Sequence, residues 1–526
     1  MIAPFFPARA SMQHPLARLL LVLVLLALLG GCTLPSLEGR LESLALDEAQ
    51  SRDTSLGEGL APSVDAHPGL SGIYPLDRPI DAFAARMVMA HAAERTLDVQ
   101  YYIWHPDITG MLLFEALYEA AERGVRVRML LDDSGTGGID EELAALASHP
   151  NIQVRLFNPF VVRTPKWIGY LTDFSRANRR MHNKSFTADN QASIIGGRNI
   201  GDAYFGAARD VTFSDLDVLA VGEVVDDVSS DFDRYWSSGS SYPATRILPS
   251  VGPEGRVRLE QAFAEVVRDP EADAYLTSVS ETEIVQKLLA NELGLVWAPV
   301  RMLSDDPSKG LGEASGRALL SHDLELIFAD AERKVALVSP YFVPAEAGTE
   351  AFRRLERDGV EVEVLTNALE ATDVAAVHAG YAKRRKALLE AGVELYELRR
   401  GASKQGRNPS AGPFGSSGAS LHAKTFAVDG ERIFVGSFNF DPRSANLNTE
   451  LGFIIEDPSL ARQIDVAFDE RVPLNAYEVR LDPDGELYWL ERRDGQVIRH
   501  DVEPNSGLFR RMIVSVVALL PVDWLL

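Results

Sequence analysis

His182 and Lys184 stand in MHNKSFTADNQASIIGGRN, which begins at Met181, and His422 and Lys424 stand in LHAKTFAVDGERIFVGSFN, which begins at Leu421. Both stretches follow one skeleton, His-x-Lys-x4-Asp-x6-Gly-x-x-Asn, with every spacing kept and the second histidine 240 positions after the first. The chain has 10 histidines, 52 Lys and Arg, and 76 Asp and Glu in 526 residues, so the bare pattern is expected well under once by chance. Two imidazoles, two ammonium groups and two carboxamides brought together suit a phosphodiester, which has one side for attack and one for departure. One imidazole can attack phosphorus and form a covalent phospho-enzyme, while the other protonates the leaving alcohol and later deprotonates the incoming one. Lysine and asparagine can stabilise the nonbridging oxygens as charge shifts. Charged lysine is a poor metal ligand and His-x-Lys lacks the usual zinc spacing, so neither a metal nor another cofactor is expected.

Something must position these residues twice, and the flanking sequence repeats as well. ERTLDVQYYIW from Glu94 matches ERKVALVSPYF from Glu332, and RGVRVRMLLDD from Arg123 matches DGVEVEVLTNA from Asp358. IQVRLF from Ile152 then matches VELYEL from Val393, so the offsets run 238, 235, 241 and 240, differing only by loop-sized amounts. Apolar strand runs alternating with helical stretches predict a layered α/β domain, present twice, each a mixed sheet flanked by helices. The expected division is a leader at 1–31, a tether at 32–72, a first domain at 73–250, a linker and insertion at 251–325, a second domain at 326–480 and a C-terminal extension at 481–526. Residues 401–420, with five Gly and five Ser, read as a loop beside the site.

The two segments resemble the HKD motifs of the phospholipase D superfamily. That resemblance covers both halves and implies a pseudo-two-fold pair of domains sharing one active site. His182, Lys184 and Asn199 would form one half of it, and His422, Lys424 and Asn439 the other. Asp189 and Asp429 complete the motifs and are counted with His182, Lys184, His422 and Lys424 in the catalytic set, although the family pattern makes them more structural than chemical. It also implies that each histidine is oriented by a carboxylate following the opposite motif, Glu450 for His182 and Asp215 for His422, with Asp217 a weaker alternative. Ser437 offers phosphate a hydroxyl where the first copy has Gly197, so the halves are unequal, which suits distinct roles; analogy with two-motif relatives makes His182 the nucleophile.

HAGYAKRRKALLEAGVELYEL from His378, HAKTFAVDGERIFVGSFNFDPRS from His422 and the terminal LLPVDWLL are similar to bacterial cardiolipin synthases, among them the C type. The resemblance implies phospholipid substrates: transfer of a phosphatidyl group onto phosphatidylglycerol from a phosphatidylethanolamine or phosphatidylglycerol donor. A hydrolytic phospholipase D would use the same residues with water as acceptor. A nuclease and a noncatalytic lipid-binding lipoprotein are further alternatives, and a helper protein is left open.

Arg9 and Arg18 lead into LLLVLVLLALL and then LGGC, the layout of a secretory signal. Cys32 is the single cysteine of the chain, and its place after Leu29-Gly30-Gly31 resembles a bacterial lipobox. That implies acylation of Cys32, and Thr33 after it implies the periplasmic side of the outer membrane of a Gram-negative bacterium. Without residues 1–31, which carry two arginines and no acid, the formal charge moves from −24 to −26. Such an acidic chain argues against broad nucleic-acid binding. Locally, Arg163, Lys166, Arg176, Arg179, Arg180 and Lys184 oppose Asp173 alone, with Trp167, Tyr170 and Phe174 among them. Basic and aromatic side chains together suit anionic headgroups at a membrane surface, and RRMIVSVVALLPVDWLL from Arg510 is expected either to dip into lipid or to pack as a terminal element.

Overall fold

The computed structural model describes residues 33–208, 212–290, 292–372, 374–400 and 419–520. The expected leader, Cys32 and residues 401–418 of the Gly/Ser-rich loop lie outside the described residues. In chain order, the first half contributes strands β1 (Ser71–Leu76), β2 (Thr96–Ile103), β3 (Arg126–Gly135), β4 (Ile152–Phe157), β5 (Ser185–Ala188), β6 (Ala192–Gly196), β7 (Thr212–Ser214), β8 (Asp217–Gly222), β9 (Ser241–Pro243) and β10 (Val296–Ala298). The second contributes β11 (Val300–Ser304), β12 (Lys334–Val338), β13 (Glu361–Asn367), β14 (Glu394–Leu398), β15 (Ala419–Leu421), β16 (Thr425–Val428), β17 (Arg432–Gly436), β18 (Leu451–Ile455), β19 (Ala476–Leu481), β20 (Leu487–Arg493) and β21 (Gln496–His500).

The two large sheets run β10-β1-β8-β6-β5-β2-β3-β4-β9 and β11-β18-β17-β16-β12-β13-β14-β19-β20-β21. From β8 to β9 and from β18 to β19 the order is the same, with three parallel strands in each sheet and antiparallel neighbours beside them. The parallel strands β2, β3 and β4 are buried along most of their length because helices such as Pro79–Ala92 and Ile108–Glu122 cover them, which is why their sequences are mostly apolar. The expected duplication of a mixed-sheet α/β domain is therefore present.

One apolar cluster joins the halves. It takes Ile195, Leu216 and Val218 from the first and Ala427, Ile433, Val435 and Phe453 from the second, so the two sheets meet through an interface with the character of a protein core. The stretch expected as a linker belongs to both. Helices Gly252–Val267, Pro270–Ser280 and Glu283–Ala290 supply Leu259, Phe263, Val279 and Ile284 to the first-half core, β10 joins the first sheet, and β11 joins the second after Pro299 alone. Residues 33–70, expected as a tether, instead lie along the first half. Backbone carbonyls of Ser36, Leu41 and Ser43 accept from Arg246, Arg155 and Arg128, and helix Ser55–Asp65 follows. Arginine supplied by the domain fixes a segment whose own sequence shows no period.

The motifs start at the carboxyl ends of the parallel strands. Gln100 of β2 pairs with Ser185, and Val338 of β12 pairs with Thr425, so His182, Lys184, His422 and Lys424 precede β5 and β16 at that end. Asp189 and Asp429 stand about 16 Å further on, at the opposite end of those strands. Asp189 accepts from the backbone N–H groups of Glu94, Arg95 and Thr96, and Asp429 from those of Glu332, Arg333 and Lys334. Each aspartate has positive φ, 49° and 58°. The motif aspartates therefore clip the starts of β2 and β12 and do not reach the histidines, which corrects their place among the catalytic residues.

Replacing Asp189 by Ala would orphan three amide donors and strain a positive-φ position, at about 1–3 kcal/mol for an unsatisfied buried group. Urea denaturation of Asp189→Ala should show a loss of about 3 kcal/mol or more, and Asp189→Asn, which keeps an acceptor and tolerates this backbone, should lose less.

Candidate active site

Short backbone exchanges between the halves build the site. β15, directly before His422, pairs in parallel with β7 of the first half, and the N–H of His422 donates to the Ser214 carbonyl at 2.7 Å. On the other side Met181 bridges to Thr449, and the N–H of His182 donates to the Thr449 carbonyl at 2.8 Å. Each histidine is thus delivered beside the carboxylate that follows the other motif. Nδ1 of His182 lies 2.9 Å from Glu450, and Nδ1 of His422 lies 2.6 Å from Asp215. With Nδ1 held to a carboxylate, Nε2 is the nitrogen left for chemistry. Asp217 instead pairs with Arg86 at 2.8 Å and lies 3.5 Å from Arg198, so it supports the fold below the site.

Two residues that sequence reasoning passed over hold the motifs in register. Asp132 at the carboxyl end of β3 accepts from the Met181 N–H at 2.7 Å, and Asn367 at the carboxyl end of β13 accepts from the Leu421 N–H at 3.0 Å. They occupy matched positions in the repeat, RMLLD against EVLTN, and an Asp matching an Asn at a strand end was the available signal. The ring of Tyr102 meets His182 edge-on at 5.0 Å, and Tyr204 meets His422 edge-on at 5.2 Å. These rings limit the rotation of each imidazole.

The lysines come from the same short loops. Lys184 donates to the His182 carbonyl, and Lys424 to that of His422, while Lys424 Nζ also lies 2.9 Å from His422 Nδ1. Burial, followed by Lys184, Lys424 and His422, pushes the His182 imidazolium well down. Burial and then Lys424 also push His422 down, while Asp215 pulls it back up. The backbone exchanges at Thr449 and Ser214 bring the four buried side chains to one seam, so each histidine feels cations from both halves.

The two carboxylates differ. Burial works to raise Asp215, but His422, Lys424 and Arg198 outweigh it and hold the group well below the usual range. Burial dominates at Glu450 and pushes it up to about 7, against Lys184 and the hydroxyls of Ser437 and Ser444. Those hydroxyls donate to Glu450 at 2.5 and 2.7 Å. Ser437 is fully buried and also accepts from the Leu451 N–H, so its hydroxyl serves the carboxylate, not the phosphate for which the sequence suggested it. Gly197 has the complementary explanation. A Cβ there would lie 2.1 Å from Asp215 Oδ1, so the short carboxylate needs a residue without a side chain, whereas the longer Glu450 reaches a serine.

The asparagines also diverge. Asn199 accepts from the Ile103 N–H at 3.2 Å and donates to Tyr204 at 3.0 Å, which braces the ring facing His422. Asn439 has its carbonyl oxygen buried without a partner among the described residues. The basic run at 163–184 is largely committed internally: Arg163 and Lys166 contact Asp133, Arg176 contacts Asp173 and Arg180 lies 3.3 Å from Asp132. It is therefore not the free cationic patch that its composition suggests.

Gly197→Ser would make the two motifs match while forcing Asp215 away from His422. Steady-state kinetics should show a fall in kcat/KM of about 100-fold with the circular-dichroism spectrum unchanged.

A family model described as "Cardiolipin synthase, PLD-like domain" matches residues 87–236 and 325–472. Cardiolipin synthase C of Escherichia coli K12 is 49% identical over 473 residues, covering 90% of this chain and 99% of that protein. Cardiolipin synthase A of Pseudomonas entomophila is 27% identical over 386 residues, covering 73% of this chain and 64% of that one. Among solved structures, a phosphatidylserine synthase of Haemophilus influenzae superposes with a TM-score of 0.57 at 14% identity, over 90% of this chain and all of that one, which is a likeness of fold. The chain belongs to the cardiolipin synthase family of phospholipase D-like proteins.

Proposed function

We propose that the protein is a phosphatidyltransferase that makes cardiolipin by moving a phosphatidyl group from phosphatidylethanolamine or phosphatidylglycerol onto a hydroxyl of phosphatidylglycerol. The observation that carries this reading is the crossed pair of histidine–carboxylate contacts in one buried pocket. The 49% identity to cardiolipin synthase C over nearly the whole of that relative supports the lipid substrate.

In the proposed reaction His182 Nε2 attacks the donor phosphorus while the bond from phosphorus to the headgroup oxygen breaks. His422 gives that oxygen its proton, releasing ethanolamine or glycerol and leaving phosphatidyl-His182. A phosphatidylglycerol hydroxyl then loses its proton to His422 and attacks phosphorus, and the phosphorus–nitrogen bond breaks. Electrostatics support this division of roles. Burial disfavours the imidazolium at both histidines, but Asp215 opposes this at His422 while Lys184 and Lys424 reinforce it at His182, which suits His422 to carry the proton. Lys184 and Lys424 offset the phosphate charge. Water in place of the lipid alcohol would give phosphatidic acid.

Anchoring completes the proposal. The leader LLLVLVLLALLGGC supports a secreted lipoprotein acylated at Cys32 on the periplasmic side of the outer membrane of a Gram-negative bacterium. No helix among the described residues is long and apolar enough to cross a membrane. Mass spectrometry of the mature N-terminus should find an acylated Cys32 in the wild type and none in Cys32→Ala.

Purified protein given mixed phosphatidylglycerol and phosphatidylethanolamine should yield cardiolipin by mass spectrometry, and the released alcohol identifies the donor. His182→Asn and His422→Asn should each lower turnover about 1,000-fold or more without unfolding. Phosphatidic acid alone would instead establish hydrolysis. Glu450 sets the acid side of the pH profile. Below about pH 7 it gains a proton, donates to Nδ1 and leaves Nε2 carrying the hydrogen, so kcat/KM should fall as pH drops through about 7. Ser437 lowers the Glu450 pKa, so Ser437→Ala should move that limb to higher pH.

A further inference from the structure

Helix Leu508–Ala518 turns only part of its surface toward the protein. Val514 is buried, and with Val517 and Ala518 it packs on Leu369, Ala375, Ala379 and Ala382. At 100° per residue, Phe509, Met512, Ile513 and Val516 of the helix, followed by Leu519 and Leu520, fall on a stripe facing the other way. All six are exposed, Phe509 at 75% and Leu519 at 84%. A contiguous apolar stripe on a water-soluble surface marks an interaction site. Arg510 and Arg511 border it, and in a chain of charge −24 residues 504–520 contain no acid. Arg510 also donates to the Thr372 carbonyl, tying the helix to the segment that leaves the carboxyl end of β13.

The first half carries a counterpart. After the carboxyl end of β4 the chain runs through Trp167 and Leu171, exposed at 59% and 75%, with Tyr170 partly exposed between them. Arg163 and Lys166 in this stretch are paired with Asp133 and Asp140, so this patch offers apolar surface and no free charge. One patch follows the carboxyl end of β4 and the other packs on the segment that follows the carboxyl end of β13, so each lies against the strand ends of its own sheet.

We propose that these two patches are a bipartite docking surface for an anionic lipid bilayer, which seats the shared site on the interface from which its substrates come. The proposal rests on the phosphatidyltransferase reading for its choice of a lipid partner. The helix supplies the charge that singles out an anionic surface: Arg510 and Arg511 stand in an acid-free stretch of a chain whose net charge would otherwise be repelled by one. An apolar stripe with cationic borders, too short to span, is the pattern of a helix lying in the interfacial plane.

The test uses the full chain with Cys32→Ser, in vesicles of phosphatidylethanolamine and phosphatidylglycerol, carrying an environment-sensitive fluorophore at Val516→Cys, Leu171→Cys or, as control, the exposed Glu265→Cys on helix Gly252–Val267. Probes at 516 and 171 should shift to the blue and be quenched by brominated acyl chains, and the probe at 265 should do neither. A second readout is turnover of the double variant Ile513→Asp/Leu519→Asp, expected to fall at least tenfold on vesicles and to stay unchanged on a short-chain, water-soluble phosphodiester. Absence of quenching at 516 or at 171 overturns the two-point footprint. Crosslinking of two copies through position 516 overturns it in favour of a dimer face, and equal loss on the soluble substrate overturns it in favour of a folding role. Quenching does not depend on turnover, so an inactive but docked protein would separate this proposal from the enzymatic one.

Discussion

The hydrogen bond from each histidine to a carboxylate of the other half is the constraint around which the molecule is arranged. A buried imidazole with the wrong tautomer can neither attack nor protonate, and only a fixed acceptor at Nδ1 selects the right one. Placing that acceptor in the opposite repeat requires the halves to be held within a fraction of an ångström. The β7–β15 ladder, the Met181–Thr449 bridge and the apolar cluster shared between the sheets provide this. The clips at Asp189 and Asp429 serve the same end from a distance, since a strand that slipped by one residue would turn its side chains to the other face.

Within this near symmetry two linked exchanges make the halves unequal. One half pairs a glycine with the short carboxylate Asp215, and the other pairs a serine with the longer Glu450. The consequence is electrostatic: one carboxylate is firmly ionised beside its histidine, while the other rests near neutrality among donors. Equivalent positions in a duplicated fold can thus be given different proton affinities without moving the backbone.

Much of this could be read from the chain. The repeat was visible because strand runs and motifs kept their spacing, and the shared order of the two sheets follows from it. The carboxylates could be matched to histidines only through family likeness, whereas the repeat itself told Asp215 from Asp217 by setting Asp215-Leu216 against Glu450-Leu451. What stayed hidden depends on three-dimensional neighbours. Ser437 looks like a phosphate donor until Glu450 is seen beside it, and Arg163 and Lys166 look free until Asp133 and Asp140 come across. Residues 33–70 show no period because arginines elsewhere fix their carbonyls. Composition cannot reveal such borrowed order.

The passage from β10 to β11 bears on how a lipid gets in. Pro299 alone separates a strand on the edge of one sheet from a strand on the edge of the other. Proline fixes its own φ and both flanking strands are hydrogen-bonded in register, so the chain has no slack at this crossing. A clamshell motion, with the halves swinging apart to swallow a two-tailed substrate, would have to break the β7–β15 ladder and expose the shared apolar cluster. The halves therefore act as one rigid body, and long acyl tails must stay outside while only the headgroup is threaded between the strand ends.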